Sequence, residues 1–365
     1  MRKICIFNGG VKNSGGIERV AANLANMWVD GGNKVDLVIA DECTSSFFPL
    51  NNNVNIISLK RKYSSSVMKQ IVDFIKLIVL FRRYAKKNKP DIVMGMWTSR
   101  AIIGTIACLG TGVPVVACEH TAYEKARFDF KILRWIVYRW SSAIVSLTER
   151  DTRIYKRINT NAYTIPNYVK NIKYKIRTSK NKVILCVGWI SYEKGIDRLL
   201  EIWSKIFLNY PEWKLKIIGK VPEDKVLFAD ELKNMQDKYC FGSQLEIIDS
   251  TKKIFDEYNK ADIFVMTSRY EGLPMVLLEA MGTGLPVVSF DCPTGPQEII
   301  NNNENGFLID DGDIHKFSDR LSELIENENK RMAMGKAGYN MIDSNYRESV
   351  IADEWNELIE ECIRK

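Results

Sequence analysis

The chain has 365 residues, enough for two domains at roughly 150 residues each. Its 46% hydrophobic, 10% aromatic and 27% charged content can bury a sizeable core, which excludes wholesale disorder. The net charge of +7 is uneven: residues 1–170 hold 26 Lys and Arg against 12 Asp and Glu, a net +14, and the remainder is at −7. From the N-terminus, MRKICIFNGG offers only four apolar residues before Asn8, short of the roughly 7–15 of a secretory segment, and reads as a first strand over 3–7. NGGVKNSGGIERV (8–20) follows, where Gly15 and Gly16 open a helix whose N-terminus can meet an anion closely. A glycine-rich strand-to-helix turn is also an ordinary connector, and the spacing is not G-x-G-x-x-G.

Apolar runs at 34–40, 54–59, 91–97, 114–120 and 143–148 read as further strands, with helical patterns between several of them. The segment from Lys60 to Lys89 sets ten Lys and Arg around an apolar helix in which Met68, Ile71, Phe74, Ile75, Ile78 and Phe81 recur. KARFDFKILRWIVYRW (125–140) adds cations between aromatics. Basic amphipathic helices of this kind lie on anionic bilayers, although a basic-faced packing helix shows the same pattern. Ala101 to Cys118 is uncharged over 18 residues, but Gly104, Gly110, Gly112 and Pro114 divide it into helix, turn and strand, so it is no membrane span. His120 in CEHTAYE (118–124) stands at a strand end, where a neutral imidazole can bond hydroxyls or stabilise developing charge; a lone His is also commonly a satisfied hydrogen-bonding residue.

A polar, basic joint falls over 165–182, where Pro166 and Asn167 punctuate the strand pattern. Beyond it, strands are expected at 182–189, 213–220, 244–249, 261–268, 286–291 and 306–310, alternating with amphipathic helices. Strand and helix alternating in both halves imply two doubly wound α/β domains, 1–167 and 168–345, facing a central cleft into which the loops after the strands open. In VGWISYEKGIDRLL (187–200), Gly188 ends a strand and Lys194 before Gly195 can supply a point charge to a diphosphate, or is simply solvated. In SRYEGLPMVLLEAMGTGLPVVSFD (268–291), Pro274 suits the first turn of a helix, and free N–H groups around Met275 and Val276 can hold a phosphate. Glu279, about one turn further in, can accept two ribose hydroxyls, and Glu271 on the preceding loop can meet hydroxyls of whatever the phosphate carries. The plainer alternative for the pair is an N-terminal acidic residue and a satisfied surface glutamate. Eight cysteines without a C-x-x-C pair read as reduced core residues of a cytoplasmic protein. Neither of the two histidines has a second ligand at metal spacing.

Taken together, GGIERV, EHT, KGIDRLL, the E-x7-E block and GPQEII (295–300) resemble the retaining glycosyltransferases of family 4, in that family's order and over nearly the whole chain. The resemblance implies the GT-B architecture and transfer of a sugar from a nucleotide-diphosphate sugar, most simply a UDP-sugar, with no metal or other cofactor. Carried over, Gly16 beside Gly15 approaches the donor phosphates or sugar, His120 contacts the transferring sugar, Lys194 neutralises the departing diphosphate, Glu271 binds the sugar and Glu279 the ribose. Gly188, Gly219, Gly272, Leu273, Pro274, Met275 and Val276 complete the donor-binding set, and a last helix over 346–365 packs back on the N-terminal domain. Two positions depart from the family: Trp189 stands where it usually has Arg, and Val221 follows Lys220 where a second glycine is usual. The basic N-terminal half and the likeness of SFDCPTGPQEII to polysaccharide-assembly members imply a glycan acceptor on undecaprenyl diphosphate. They also imply an anionic membrane surface as partner, with the enzyme peripheral on the inner face of the cell membrane. A GT-B-shaped UDP-sugar epimerase is the alternative enzyme. A nucleic-acid-binding protein ranks low because no RNA or helix-turn-helix motif accompanies the charge. A nicotinamide oxidoreductase is disfavoured by the missing dinucleotide fingerprint.

Overall fold

The computed structural model describes all residues except Ser14, 61–66, 171–172, 175–180, 223–225 and Lys365, and leaves the side chains of 67–69 and 226 undescribed. Eight of the eighteen residues of the 165–182 joint, the start of the basic 60–89 segment with the Met68 side chain, and residues 223–225 shortly after Val221 therefore lie outside the described residues. The chain divides into two units, Met1–Asn167 with Glu348–Lys365, and Tyr168–Arg347.

The first unit runs β1 (Lys3–Asn8), α1 (Gly16–Asp30), β2 (Lys34–Ile39), β3 (Val54–Ser58), α2 (Val67–Asn88), β4 (Ile92–Met96), α3 (Trp97–Cys108), β5 (Val115–Glu119), α4 (Phe128–Val137), β6 (Ala143–Ser146), α5 (Glu149–Tyr155) and β7 (Ala162–Thr164). Its seven strands are all parallel in the order β3-β2-β1-β4-β5-β6-β7. Strands buried on both faces read as continuous apolar runs, which is why the sequence shows them plainly. Cys5 and Phe7 pack with Phe81 of α2 and Ile103 of α3, while Ile4 and Ile6, alternate along the strand, are buried on the opposite face. β7 has only three residues, too short for any periodicity to mark it.

The second unit runs β8 (Val183–Val187), α6 (Ile196–Ile206), β9 (Lys214–Ile218), α7 (Val226–Tyr239), β10 (Leu245–Ile248), α8 (Ile254–Lys260), β11 (Ile263–Met266), α9 (Met275–Gly282), β12 (Val287–Asp291), α10 (Pro296–Ile299), β13 (Phe307–Asp310), α11 (Ile314–Glu326) and α12 (Glu328–Asn345). Its six strands are parallel in the order β10-β9-β8-β11-β12-β13. Leu199, Ile202 and Trp203 of α6 and Phe317 and Leu321 of α11 close one core against the sheet. The last helix, α13 (Glu348–Arg364), belongs to the first unit, where Trp355 meets Trp28 of α1 edge-on at 5.7 Å.

Strand order reverses once in each sheet, between β1 and β4 and between β8 and β11. In open parallel sheets ligands sit beyond the carboxyl ends of the strands at such a reversal.

Candidate active site

In the second unit the loop after β8 and the loop after β11 meet at the reversal. A 3-10 turn, Tyr192–Lys194, leads into Gly195, whose φ of +65° suits glycine. A Cβ on Gly195 would stand 2.0 Å from the Thr267 carbonyl oxygen, so the glycine lets this turn lie directly on the end of β11. Thr267 donates its hydroxyl to the Gly195 carbonyl at 2.8 Å. The result places Lys194 Nζ 2.6 Å from Glu271 Oε1, an oxygen that also accepts the Ser268 hydroxyl at 2.6 Å. Lys194 remains 27% exposed at its side chain and Glu271 only 9%, so the cation keeps access to solvent while the carboxylate is held beneath it. The methylenes of Lys194 pass 3.7 Å from where a Cβ on Gly188 would stand.

Arg269 makes this turn rigid, a role no local sequence pattern announces. Its backbone N–H bonds the Glu193 carbonyl at 2.8 Å, its guanidinium bonds the Tyr192 carbonyl at 2.6 Å, and a bidentate pair at 2.8 and 2.6 Å joins it to Asp197. The same guanidinium stacks 3.6 Å over the Tyr192 ring.

The E-x7-E block supplies the rest. Gly272 and Leu273 turn into Pro274, which stands just before the first helical residue of α9 rather than inside its first turn. The N–H groups of Met275 and Val276 begin the helix, where no preceding turn offers them a carbonyl, and they carry the positive end of its dipole. The GPQEII stretch backs this turn. Gly295 lies at φ +95°, and a Cβ there would stand 2.5 Å from the Gly272 carbonyl oxygen and 2.6 Å from Pro274. The Thr294 hydroxyl bonds the Glu271 carbonyl. Glu279 is 1% exposed, and its Oε2 accepts the Tyr258 hydroxyl at 3.0 Å. It is not a surface glutamate; Tyr258 of α8, invisible as a partner from sequence, holds it. Gly219 has a packing role of its own, since a Cβ there would overlap the Gly188 carbonyl oxygen at 1.7 Å.

The remaining sequence-selected residues belong to the first unit. Gly15 caps α1 with extended backbone, and the Glu18 side chain folds back to 2.3 Å from the place of a Gly15 Cβ. A Cβ on Gly16 would meet nothing within 4 Å. His120 follows β5, and among the described residues neither of its ring nitrogens has a hydrogen-bond partner although both are shut off from solvent. Burial pushes its pKa down to about 4, so the ring is neutral near pH 7. Beneath it lies a fully buried network. Arg134 of α4 pairs with Glu119 at 2.5 Å, Tyr138 donates to Glu119, and Thr98 donates to it at 2.8 Å.

Exposed apolar residues gather on two helices of this unit. α2 exposes Ile71, Val72, Ile75, Val79 and Leu80, and α4 with the turn after it exposes Phe128, Ile132, Trp135, Ile136 and Trp140. Both helices pack against α3. Among the described residues no helix is long and apolar enough to cross a membrane. Six cysteines are buried, Cys43 is half-buried and Cys240 is exposed, so the core assignment does not extend to the last two.

Residues 14–170 match the family Glycosyltransferase Family 4, and residues 169–341 match Glycosyl transferases group 1. The chain is 30% identical to the amylovoran biosynthesis glycosyltransferase AmsD of Erwinia amylovora, over 98% of this chain and 100% of that protein. It is 24% identical, over 96% of both chains, to a Campylobacter jejuni alpha-1,4-N-acetyl-D-galactosaminyltransferase whose name specifies a PP-undecaprenol-linked glycan. Its fold matches that of HepE from Anabaena, solved with UDP and glucose, at a TM-score of 0.81 and 16% identity over 99% of this chain and 100% of that one.

Proposed function

This chain belongs to glycosyltransferase family 4, and from that premise we propose that it transfers a sugar from a UDP-sugar, with retention of anomeric configuration, to a lipid-linked glycan in surface-polysaccharide assembly. The observation that carries the reading is the Lys194–Glu271 pair at the strand-order reversal of the second unit, beside the open N-terminus of α9. A diphosphate set against that N-terminus receives the Met275 and Val276 N–H groups, and Lys194 supplies the cation that its departure requires. These groups take over the charge neutralisation that a metal would otherwise provide, and the reaction proposed is metal-independent. Trp189, 44% exposed, contributes no charge, so Lys194 and the helix N-terminus carry the leaving group without the family's usual arginine.

Glu271, freed from Lys194 when the diphosphate arrives, accepts hydroxyls of the donor sugar. Glu279 takes the ribose once Tyr258 shares its carboxylate. On the same reading Gly16 leaves room for the donor, and the neutral His120 contacts the transferring sugar. Retention follows if the acceptor hydroxyl attacks from the face the nucleotide leaves, its proton passing to the departing phosphate oxygen. No paired nucleophile and base are then needed, and positioning carries the rate. The relatives named above are transferases, which disfavours the epimerase alternative.

Support for a lipid-linked acceptor comes from the exposed apolar residues of α2 and α4 set among Lys86, Lys87, Lys125, Arg127 and Arg139, a combination suited to an anionic bilayer at the cytoplasmic face. A thermal-shift series with UDP-, GDP- and ADP-sugars tests the donor. A rise with UDP-sugars that Glu279→Ala abolishes is expected, and no rise with any of the three defeats the reading. Product NMR decides the anomeric outcome, EDTA treatment the need for metal, and salt-sensitive flotation with anionic vesicles the membrane partner.

A further inference from the structure

β4 passes into α3 with no loop between them, and the turn is made at Trp97, which has φ +67°. A residue with a β-carbon holds that left-handed conformation at a cost of about 1–2 kcal/mol, and glycine is its usual occupant. The geometry is forced by close approach: a Cβ on Gly95 would stand 2.5 Å from Ala101 Cα, so the helix doubles back hard against the strand. Tryptophan at this elbow is only half covered by the unit. It is 48% exposed, and among the described residues its indole makes no hydrogen bond or ring contact. A strained backbone that leaves half of a large apolar ring in water calls for a reason beyond the core.

Its surroundings indicate what the ring is for. β4 lies beside β1 at the reversal of strand order, where ligands gather at strand ends. Phe7 is in register with Gly95, which brings the Gly9–Gly10 turn alongside the elbow. Met96 is in register with Cys118, which places Trp97 across from Glu119, the residue before His120. The Thr98–Glu119 bond locks these two strand ends together. The edge thus combines an aromatic face, glycine backbone and an imidazole whose two nitrogens, one a donor and one an acceptor when neutral, have no partner among the described residues. Buried polar atoms without partners are rare enough to call for one. A pyranose matches this set, with apolar C–H faces for the indole and a hydroxyl rim for the imidazole.

We propose that Trp97 is the stacking platform for the acceptor's terminal pyranose ring, with one nitrogen of His120 bonding that ring's hydroxyls and the other left for the transferring sugar. The proposal rests on the transferase reading and adds the acceptor subsite to it. The test uses the full chain labelled with 5-fluorotryptophan, whose eight indoles include that of Trp97. Trp97→Phe identifies its resonance by loss of one fluorine signal. Millimolar methyl pyranosides, taken as a panel of gluco, galacto and N-acetyl forms, should shift that signal saturably. Trp97→Leu should weaken the preferred pyranoside about tenfold in saturation-transfer NMR, the upper end for one aromatic contact. Should UDP bind while no pyranoside moves the signal, the platform is wrong and the transferase reading stands. A signal that moves with UDP alone makes Trp97 a nucleotide contact and also overturns the platform. Failure of both ligands to bind removes the transferase reading and the platform with it.

Discussion

The two units repeat one backbone plan around their reversal points, β2-β1-β4-β5 in one and β9-β8-β11-β12 in the other, yet they install opposite chemistry there. The second unit sets a lysine against a carboxylate, clamped by Arg269 and flanked by the start of α9. The first sets glycine, an exposed indole and a neutral imidazole at the corresponding strand ends. The basic excess lies in the first 170 residues, while the charged site lies in the part with net −7. On the proposed reading, net charge therefore does not locate the anion site. A cation held beside a helix N-terminus does, because field strength depends on distance and local dielectric more than on a domain's total.

Two glycines break this comparison most sharply. Gly195→Ala adds a methyl group at 2.0 Å from the Thr267 carbonyl oxygen in a left-handed residue, and a loss of more than about 4 kcal/mol is expected in urea unfolding. Gly16→Ala meets open space, so its stability should change by less than about 1 kcal/mol, leaving any loss in donor turnover to a ligand. If both variants unfold alike, the glycine turn of the first unit is structural and the contrast fails.

The ion pairs offer the next test. Arg134–Glu119 has both side chains fully buried, whereas Lys194–Glu271 leaves its lysine partly open. Arg134→Met strands Glu119 without its cation and should cost about 3–5 kcal/mol of stability. Lys194→Ala should leave the melting temperature nearly unchanged and lower turnover by about 10²–10³-fold, the scale for removing one group that stabilises developing negative charge. Initial rates and melts on the two variants separate the roles, and a Lys194→Ala enzyme with full turnover sinks the leaving-group assignment.

The smallest effect concerns pH. Burial holds His120 at about 4, below its ordinary value near 6.5, so the unfolded chain binds a proton before the folded one does. Stability contributed by the neutral imidazole is complete above about pH 6.5 and declines as pH falls toward 4. A proton NMR titration should leave the His120 Cε1–H signal flat from pH 8 to 5.5. An inflection near 6.5 would show an imidazole open to water.

Much of the fold was legible because buried parallel strands are written as apolar runs, from KICIF to PVVSFD, and twelve of the observed strands fall on such runs. The three residues of β7 escaped for want of length. At the candidate site the residue types at strand ends could be read, but their partners could not. Lys194 and Glu271 stand 77 positions apart, and Arg269 reaches Asp197 across 72. Glu279 carries no mark in the sequence of the tyrosine that holds it.

Local order by itself determined where strands alternate with helices and which loops carry glycine, proline and charge, since backbone propensity and burial pattern act over a few residues. Only the packed chain decided that Lys194 meets Glu271, that Glu279 is closed to solvent, and that Trp97 stands strained and exposed. Those outcomes follow from which strand ends lie side by side, and β-sheet neighbours are chosen by long-range packing that no short stretch of sequence encodes.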